Sequence, residues 1–444
     1  MIQTLPDVMT LHPQRDSLYA ELHSRPFQVI PTPSRVTHIA VQCTEDEKHQ
    51  QFTHLCELCE ALEIVAPLKD SICIELEAGP LKIRREKHME FSSYTFTCLP
   101  DTAGQGSASP FEQMAISLLP SGWLSRLPGL VVAAFHVAVE DGRDQRDLML
   151  PVVKRYFEGM RLVGSSPQNG DARVWTTFQL HSDGFGRILV YNKKMSDSQL
   201  GRLVQRLMEI ETYRLMALLA LETARKFSPA LAEMDAELAA VTGRLALRSQ
   251  AHNEQEILSQ LTDMAARVES CRADSTFRFS ATQAYHALVM QRLSELREDE
   301  VSGHLTISEF MTRRLTPAVR TCEAVGKRLE DLSRRIDRVS DMMRTRVELS
   351  IQAQNQQLLA SMDRRSRIQL MMQHTVEGLS VAAISYYAVG LVKYLLEAFY
   401  NRGVEFDKSL VLGLSVPLIV GTVWFFTRRI HRHFLRLATD KVDD

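Results

Sequence analysis

The sequence predicts an α+β protein with an N-terminal mixed α/β domain, an elongated helical region carrying a long stalk helix, and a C-terminal two-helix transmembrane hairpin. Three observations predict it. Short apolar runs and period-two alternation fill the chain up to about residue 195, which is the texture of strands. From Ser196 glycine becomes rare, and Leu, Ala, Arg, Glu, Gln and Met dominate, all good helix formers. Two long apolar stretches then close the sequence, the second without any charge. The implied domains are 1–195, 196–374, 375–428 and a basic tail, 429–444.

In the first domain, Val36–Gln42, Ile72–Glu77, Leu81–Arg84, Phe91–Cys98, Val131–Val139, Val174–Leu180 and Ile188–Tyr191 read as strands. Glu45–Leu62 has helical spacing, with Phe52, Leu55, Cys56, Cys59 and Leu62 on one face. Loops are expected at Asp101–Pro110 and Gly164–Gly170, both rich in small residues. Helices and strands do not alternate regularly, so the sheet should be mixed.

The helical region carries its own punctuation. Ser196 with Gln199, and Ser280 with Gln283, have capping-box spacing. Ser228-Pro229 and Thr316-Pro317 each place a capping residue before a proline suited to the first helical position. Helices are therefore expected at 197–226, 229–272, 281–300 and from 317 onward, with a short one after Thr306. In the last, Leu329, Leu332, Ile336, Val339 and Met343 follow the four-three spacing of a coiled-coil seam. One helix over 317–374 would be about 87 Å long at ~1.5 Å per residue, the dimensions of a stalk.

Gly378–Tyr400 and Leu410–Thr427 are the two spans. Arg364, Arg365 and Arg367 precede them, and Arg428, Arg429, Arg432 and Arg436 follow. In the linker, Arg402 and Lys408 are offset by Glu405 and Asp407, so the positive-inside rule puts both termini in the cytoplasm. Within the first span, Gly378, Ala382 and Ser385 form a small-residue face suited to close helix approach. Ser380, Tyr387 and Tyr394 form a second, polar stripe that would line a pore or make a helix contact.

Composition removes other classes. The 444 residues hold 52 basic and 54 acidic side chains, without the basic excess of a nucleic-acid protein. No basic-then-apolar leader opens the sequence, so no signal peptide is expected. Seven scattered cysteines suit reduced thiols better than a disulfide framework. Cys56 and Cys59 form a C-x-x-C with no second pair, and their place on an apolar helix face reads as core rather than metal site. His12, His23 and Arg25-Pro26-Phe27 lack a nucleophile or an oriented partner, so packing or interface capping is the expected role. No Walker motif, G-x-S-x-G or H-E-x-x-H occurs; neither an enzyme nor a cofactor is expected.

His12-Pro-Gln-Arg-Asp16, Glu21-Leu-His-Ser-Arg-Pro-Phe27 and Gly201-Arg-Leu-Val-Gln-Arg-Leu-Met-Glu-Ile-Glu-Thr-Tyr-Arg214, running into Ala217-Leu-Leu-Ala220, resemble DUF3422, a bacterial family of membrane-anchored proteins. The resemblance implies an inner-membrane protein and no particular activity. The architecture also looks like the CorA magnesium-channel family, although Tyr400-Asn401-Arg402-Gly403 stands where that family has Gly-Met-Asn. That likeness implies a homo-oligomer, a pentamer being one form, that conducts or regulates passage of an ion, a divalent cation being one candidate. Ser380, Tyr387, Tyr394 and Glu397 would line the pore, with Glu405 and Asp407 at its outer mouth. The alternative is a membrane-anchored scaffold without a pore.

Overall fold

The structure, a computed structural model, describes residues 12–21, 26–100, 109–143, 150–246, 254–400 and 407–439. It divides into two compact units, Met1–Ser340 and Asp341–Asp444.

The first unit begins with helix α1 (Arg15–Glu21), strand β1 (Ser34–Gln42) and helix α2 (Glu45–Ala61). Then come β2 (Cys73–Ala78), β3 (Leu81–Lys87), β4 (Phe91–Cys98) and β5 (Leu130–Asp141). After α3 (Leu150–Tyr156) follow β6 (Val163–Ser166), the turn-like α4 (Pro167–Gly170), β7 (Ala172–Thr176) and β8 (Gly186–Asn192). Two long helices, α5 (Asp197–Ala246) and α6 (Glu254–Leu296), lead through the two-residue β9 (Asp299–Glu300) to α7 (Ile307–Tyr400). The strands form one sheet in the order β2-β3-β4-β1-β5-β8-β7-β6-β9. Among the described residues only β5 and β8 pair in parallel, so the sheet is mixed.

Both faces of the sheet are covered. On one, Ile39, Val41, Tyr94 and Phe96 pack with Leu55 and Leu58 of α2 and with Trp123. Thr44 caps α2, its hydroxyl accepting from the Glu47 N–H while the Glu47 carboxylate accepts from the Thr44 N–H. On the other, Ala133, Phe135, Val137, Val174, Ile188 and Val190 meet Leu200, Leu203 and Leu207 of α5, Val289 and Leu293 of α6, and Met311 and Leu315 of α7. The period-two alternation of β5 and β8 thus sorts side chains between two cores.

Several expected boundaries move. Gly164–Gly170, read as a loop, contains β6, where glycine leaves room for the Trp175 ring: a Cβ at Gly164 would lie 2.5 Å from its Cζ3. Strand β7 stops at Thr176 rather than Leu180, because Phe178 takes a φ of 54° and leaves the pleat. Pro229 and Pro317 interrupt nothing, sitting inside α5 and α7 on the exposed side, where water can take the freed carbonyl while the buried stripe continues. The break expected between 272 and 281 is also absent. Ser275 and Thr276 donate back to the carbonyls of Cys271 and Arg272, each at 2.7 Å, so their hydroxyls accommodate the helix instead of ending it. Ser196 does cap α5, and Thr306 caps α7. The expected loop Asp101–Pro110 lies mostly outside the described residues.

The seam expected of a free-standing stalk is covered within the chain. Leu329, Leu332, Ile336 and Met343 are buried and Val339 is half-buried. Asp235 of α5 accepts from Arg328 and Arg335 of α7, each at 2.8 Å, and Arg267 of α6 donates to Glu237 of α5. Three helices therefore run together, and the seam up to Ile336 belongs to this bundle.

In the second unit, the rest of α7 is followed by α8 (Lys408–Thr439), which holds most of the expected tail. These are two helices long and apolar enough to cross a membrane, with mean hydropathy 1.5 and 2.0 over their most apolar stretches.

Candidate functional site

The helix-facing side of the sheet changes character along its width. On β5, β8 and β7 it is apolar. On β1, β3 and β4 the same side presents His38, Arg84, Glu86, Ser93 and Thr95, and a cavity of about 250 Å³ opens between them and α5. Sheet register builds its floor. Glu75 lies opposite Arg84, Arg84 opposite Thr95, Thr95 opposite His38, and His38 opposite Phe135, one cross-strand row over five strands.

The row is held by hydrogen bonds. Arg84 donates to Glu75 at 2.7 Å and to Glu86 at 2.5 Å. His38 Nδ1 and the Thr95 hydroxyl are 2.9 Å apart, and the imidazole packs 5.1 Å from the Phe135 ring. Burial, with the Arg84 charge adding to it, pushes the His38 pKa down to about 3, so the ring is neutral at ordinary pH.

The roof comes from α5 and α6. Gln205, Met208, Glu209, Thr212 and Tyr213 line it on successive turns of α5, and Arg292 of α6 reaches across to Glu209 while pairing with Glu295 of its own helix. Thr212 is 3% exposed and its hydroxyl has no hydrogen-bond partner among the described residues. Such an orphan costs about 1–3 kcal/mol.

One end is closed by the segment 26–30. Arg84 donates to the Pro26 carbonyl at 2.5 Å, the Ile30 N–H donates to the Asp197 carbonyl at 3.3 Å, and Arg202 lies 5.0 Å over the Phe27 ring. The segment passes so close to α5 that a Cβ on Gly201 would lie 1.8 Å from the Gln28 carbonyl oxygen. Only glycine fits there. The described end of one sequence block, Pro26–Phe27, thus leads into the cavity wall, and the distant block Gly201–Arg214 roofs the same cavity.

The sequence profile of DUF3422, described as a protein of unknown function, matches residues 10–434, nearly the whole chain. The chain belongs to this family. Comparisons with curated proteins and with solved structures return no match. Within this DUF3422 member, therefore, function has to be read from its own residues.

Sequence reasoning singled out Gly201–Arg214 but missed His38, Arg84, Glu86, Ser93, Thr95 and Arg292. A signal was present. In β4, Ser93, Thr95 and Thr97 alternate with Tyr94, Phe96 and Cys98, and an alternating strand reads as half-solvated. Here both faces are buried.

The other expected residues lie apart from this site. Cys59 is buried, and burial raises the pKa of both Cys56 and Cys59, keeping them as thiols. His12 is exposed, its Nδ1 accepting from the Gln14 N–H at 3.2 Å, while His23 and Arg25 lie outside the described residues. In the second unit, Ser380, Tyr387, Tyr394 and Glu397 are all exposed. Ser380 donates to the Val376 carbonyl at 2.8 Å. Asp407 accepts from the Ser409 N–H at 3.0 Å and so caps α8. Glu405 lies outside the described residues. Gly378, Ala382 and Ser385 line a cavity of about 460 Å³ with Val416 and Val420 of α8, placing the small-residue face toward the second apolar helix.

Proposed function

We propose that this DUF3422 protein is a membrane-anchored receptor for a small polar molecule. The sheet cavity takes the ligand, the two apolar helices hold the chain in a bilayer, and α7, which belongs to both units, carries the consequence of binding. The observation that carries this reading is the cavity itself. A polar sheet face roofed by helices, with an orphaned Thr212 hydroxyl, is less stable than the apolar packing a few strands away. Local rules of packing are broken in this way at functional sites. Thermal unfolding of the full chain in mild detergent against a panel of small molecules tests it. At least one should raise the midpoint in a dose-dependent way, as binding to the folded state requires. Loss of that shift in Ser93→Leu, which fills the cavity, is the expected companion result, and a shift that survives Ser93→Leu would sink the reading.

The Arg clusters flanking the hairpin support a bacterial inner-membrane location with both termini cytoplasmic. A reporter after Asp444 should read inside and one at Val404 outside; an external C-terminus refutes this arrangement. Ion passage by a CorA-like homo-oligomer, a pentamer being one form, is the second reading. It is favoured by Tyr387, Tyr394 and Glu397, which a single chain leaves exposed for other copies to enclose. A cation pathway predicts that Glu397→Gln lowers flux, most at ~10 mM salt where screening is weak. A chain that is monomeric in mild detergent removes the pore and leaves the receptor, or a scaffold that binds partner proteins.

A further inference from the structure

We infer that the cavity over β1, β3 and β4 is built for a small, neutral, polyhydroxylated molecule of the sugar or polyol class. This rests on the receptor reading and adds the chemistry of the ligand.

The charges at the wall are already matched. Arg84 is held by Glu75 and Glu86, and Arg292 by Glu209 and Glu295. Gln205 donates to the remaining oxygen of Glu209 at 3.0 Å. Among the described residues, an anion entering here would meet no arginine without a carboxylate partner and would compete with a partly buried pair, which leaves a carboxylate stranded. A cation meets the converse obstacle, because both carboxylates on the wall are engaged by arginines.

Beside these pairs the wall leaves uncharged groups open. The Thr212 hydroxyl has no partner, the buried Ser93 hydroxyl makes no hydrogen bond among the described residues, and His38 uses only Nδ1. A hydroxyl both donates and accepts, and a neutral imidazole nitrogen does one or the other. Groups of this kind are satisfied reciprocally by ligand hydroxyls. Ile30, Met208 and Phe91 add apolar surface to the wall, with the His88 ring stacked on Phe91 at 4.1 Å. Such a surface suits the C–H face of a saturated ring. The volume, about 250 Å³, lies below the usual range for drug-sized ligands and limits the occupant to one small molecule.

The test uses the full chain in mild detergent with glucose, sorbitol and myo-inositol as neutral probes, inorganic phosphate and citrate as anions, and ethanolamine as a cation. Each is titrated against the unfolding midpoint of the parent, of Thr212→Val and of Ser93→Ala. Neutral sugars also stabilise proteins by exclusion from the surface, an effect that does not saturate and is common to all three proteins. The expected result is a saturating rise with a neutral probe, with apparent affinity roughly fivefold weaker in each variant, the loss of about one hydrogen bond. Thr212→Val is nearly isosteric, and its unliganded midpoint should be no lower than the parent's, which separates lost binding from lost folding. A saturating, Thr212-dependent rise with phosphate, citrate or ethanolamine alone would overturn the ligand class and leave the receptor reading intact. Unsaturating shifts equal in all three proteins, or no shift with any probe, would overturn the assignment of the cavity as a polyol site.

Discussion

One side of one sheet is finished in two ways. Over β5, β8 and β7, helices α5, α6 and α7 press Leu203, Leu207, Val289 and Met311 onto Phe135, Val137, Val174 and Val190 in one apolar cluster. Over β1, β3 and β4, the same α5 covers Arg84, Ser93, Thr95 and His38 and encloses space instead of filling it. The helix is common to both halves, so the difference lies in the strands. The first half is what folding needs: burial worth roughly 25 cal/mol per Å² of apolar surface. The second withholds that gain and holds polar groups ready in geometry set by neighbouring strands.

Mutations should separate the halves, and the largest effect is expected in the apolar one. Leu203 is fully buried, and Leu203→Ala should lower unfolding free energy by about 2–5 kcal/mol in denaturant titration. A loss below about 1 kcal/mol would mean that this half is no better packed than the cavity. Next is Gly201→Ala, whose Cβ collides with the Gln28 carbonyl and must push the 26–30 segment away. A cost of about 1–3 kcal/mol and faster proteolysis near Phe27 are expected; proteolysis unchanged from the parent would show that the close approach is dispensable.

Acid should act on the polar half. His38 has a folded pKa of about 3 against an ordinary 6.5, so the unfolded chain takes up its proton first. Stability is therefore fully present above about pH 6.5 and falls as pH drops toward the folded value. That amounts to about 2 kcal/mol by pH 5 for a group so fully buried. His136, lowered by burial to about 4, adds to the same limb from the opposite face. His38→Gln should flatten the fall between pH 6.5 and 5 in unfolding curves, and an acid limb identical to the parent's would contradict a buried neutral ring. The smallest effect is Thr212→Val, which removes an unpartnered hydroxyl and should raise stability by up to about 1 kcal/mol, read as a rise in unfolding midpoint. A fall would mean that the hydroxyl is satisfied in solution.

Much of the fold was legible from periodicity. Strand β4 and the start of α2 were placed to the residue, because Ser93–Cys98 alternates cleanly and Glu45–Leu62 carries helical spacing. Strand β6 was not, since Val163–Ser166 is short, small and hydrogen-bonded to partners near and far in sequence. The prolines misled for a reason that sequence does not display. A breaker is tolerated where it faces water, and its facing is known only once the helices are packed. The site was half legible. The Gly201–Arg214 block stood out, whereas the Glu75–Arg84–Thr95–His38 row exists only across strands, through register that no local pattern encodes.

Among the described residues the sheet is open at both ends, and its two outermost strands are poor templates for a neighbour. Strand β9 is two residues long, both acidic and exposed. Strand β2 alternates Glu75 and Glu77 along its length, the first engaged by Arg84 and the second by Lys82. A second copy approaching edge to edge would set carboxylate against carboxylate before any backbone pairing formed. If the two apolar helices anchor the chain in a bilayer, as proposed, copies collide in two dimensions at high local density, and those few acidic residues would keep crowding from becoming aggregation.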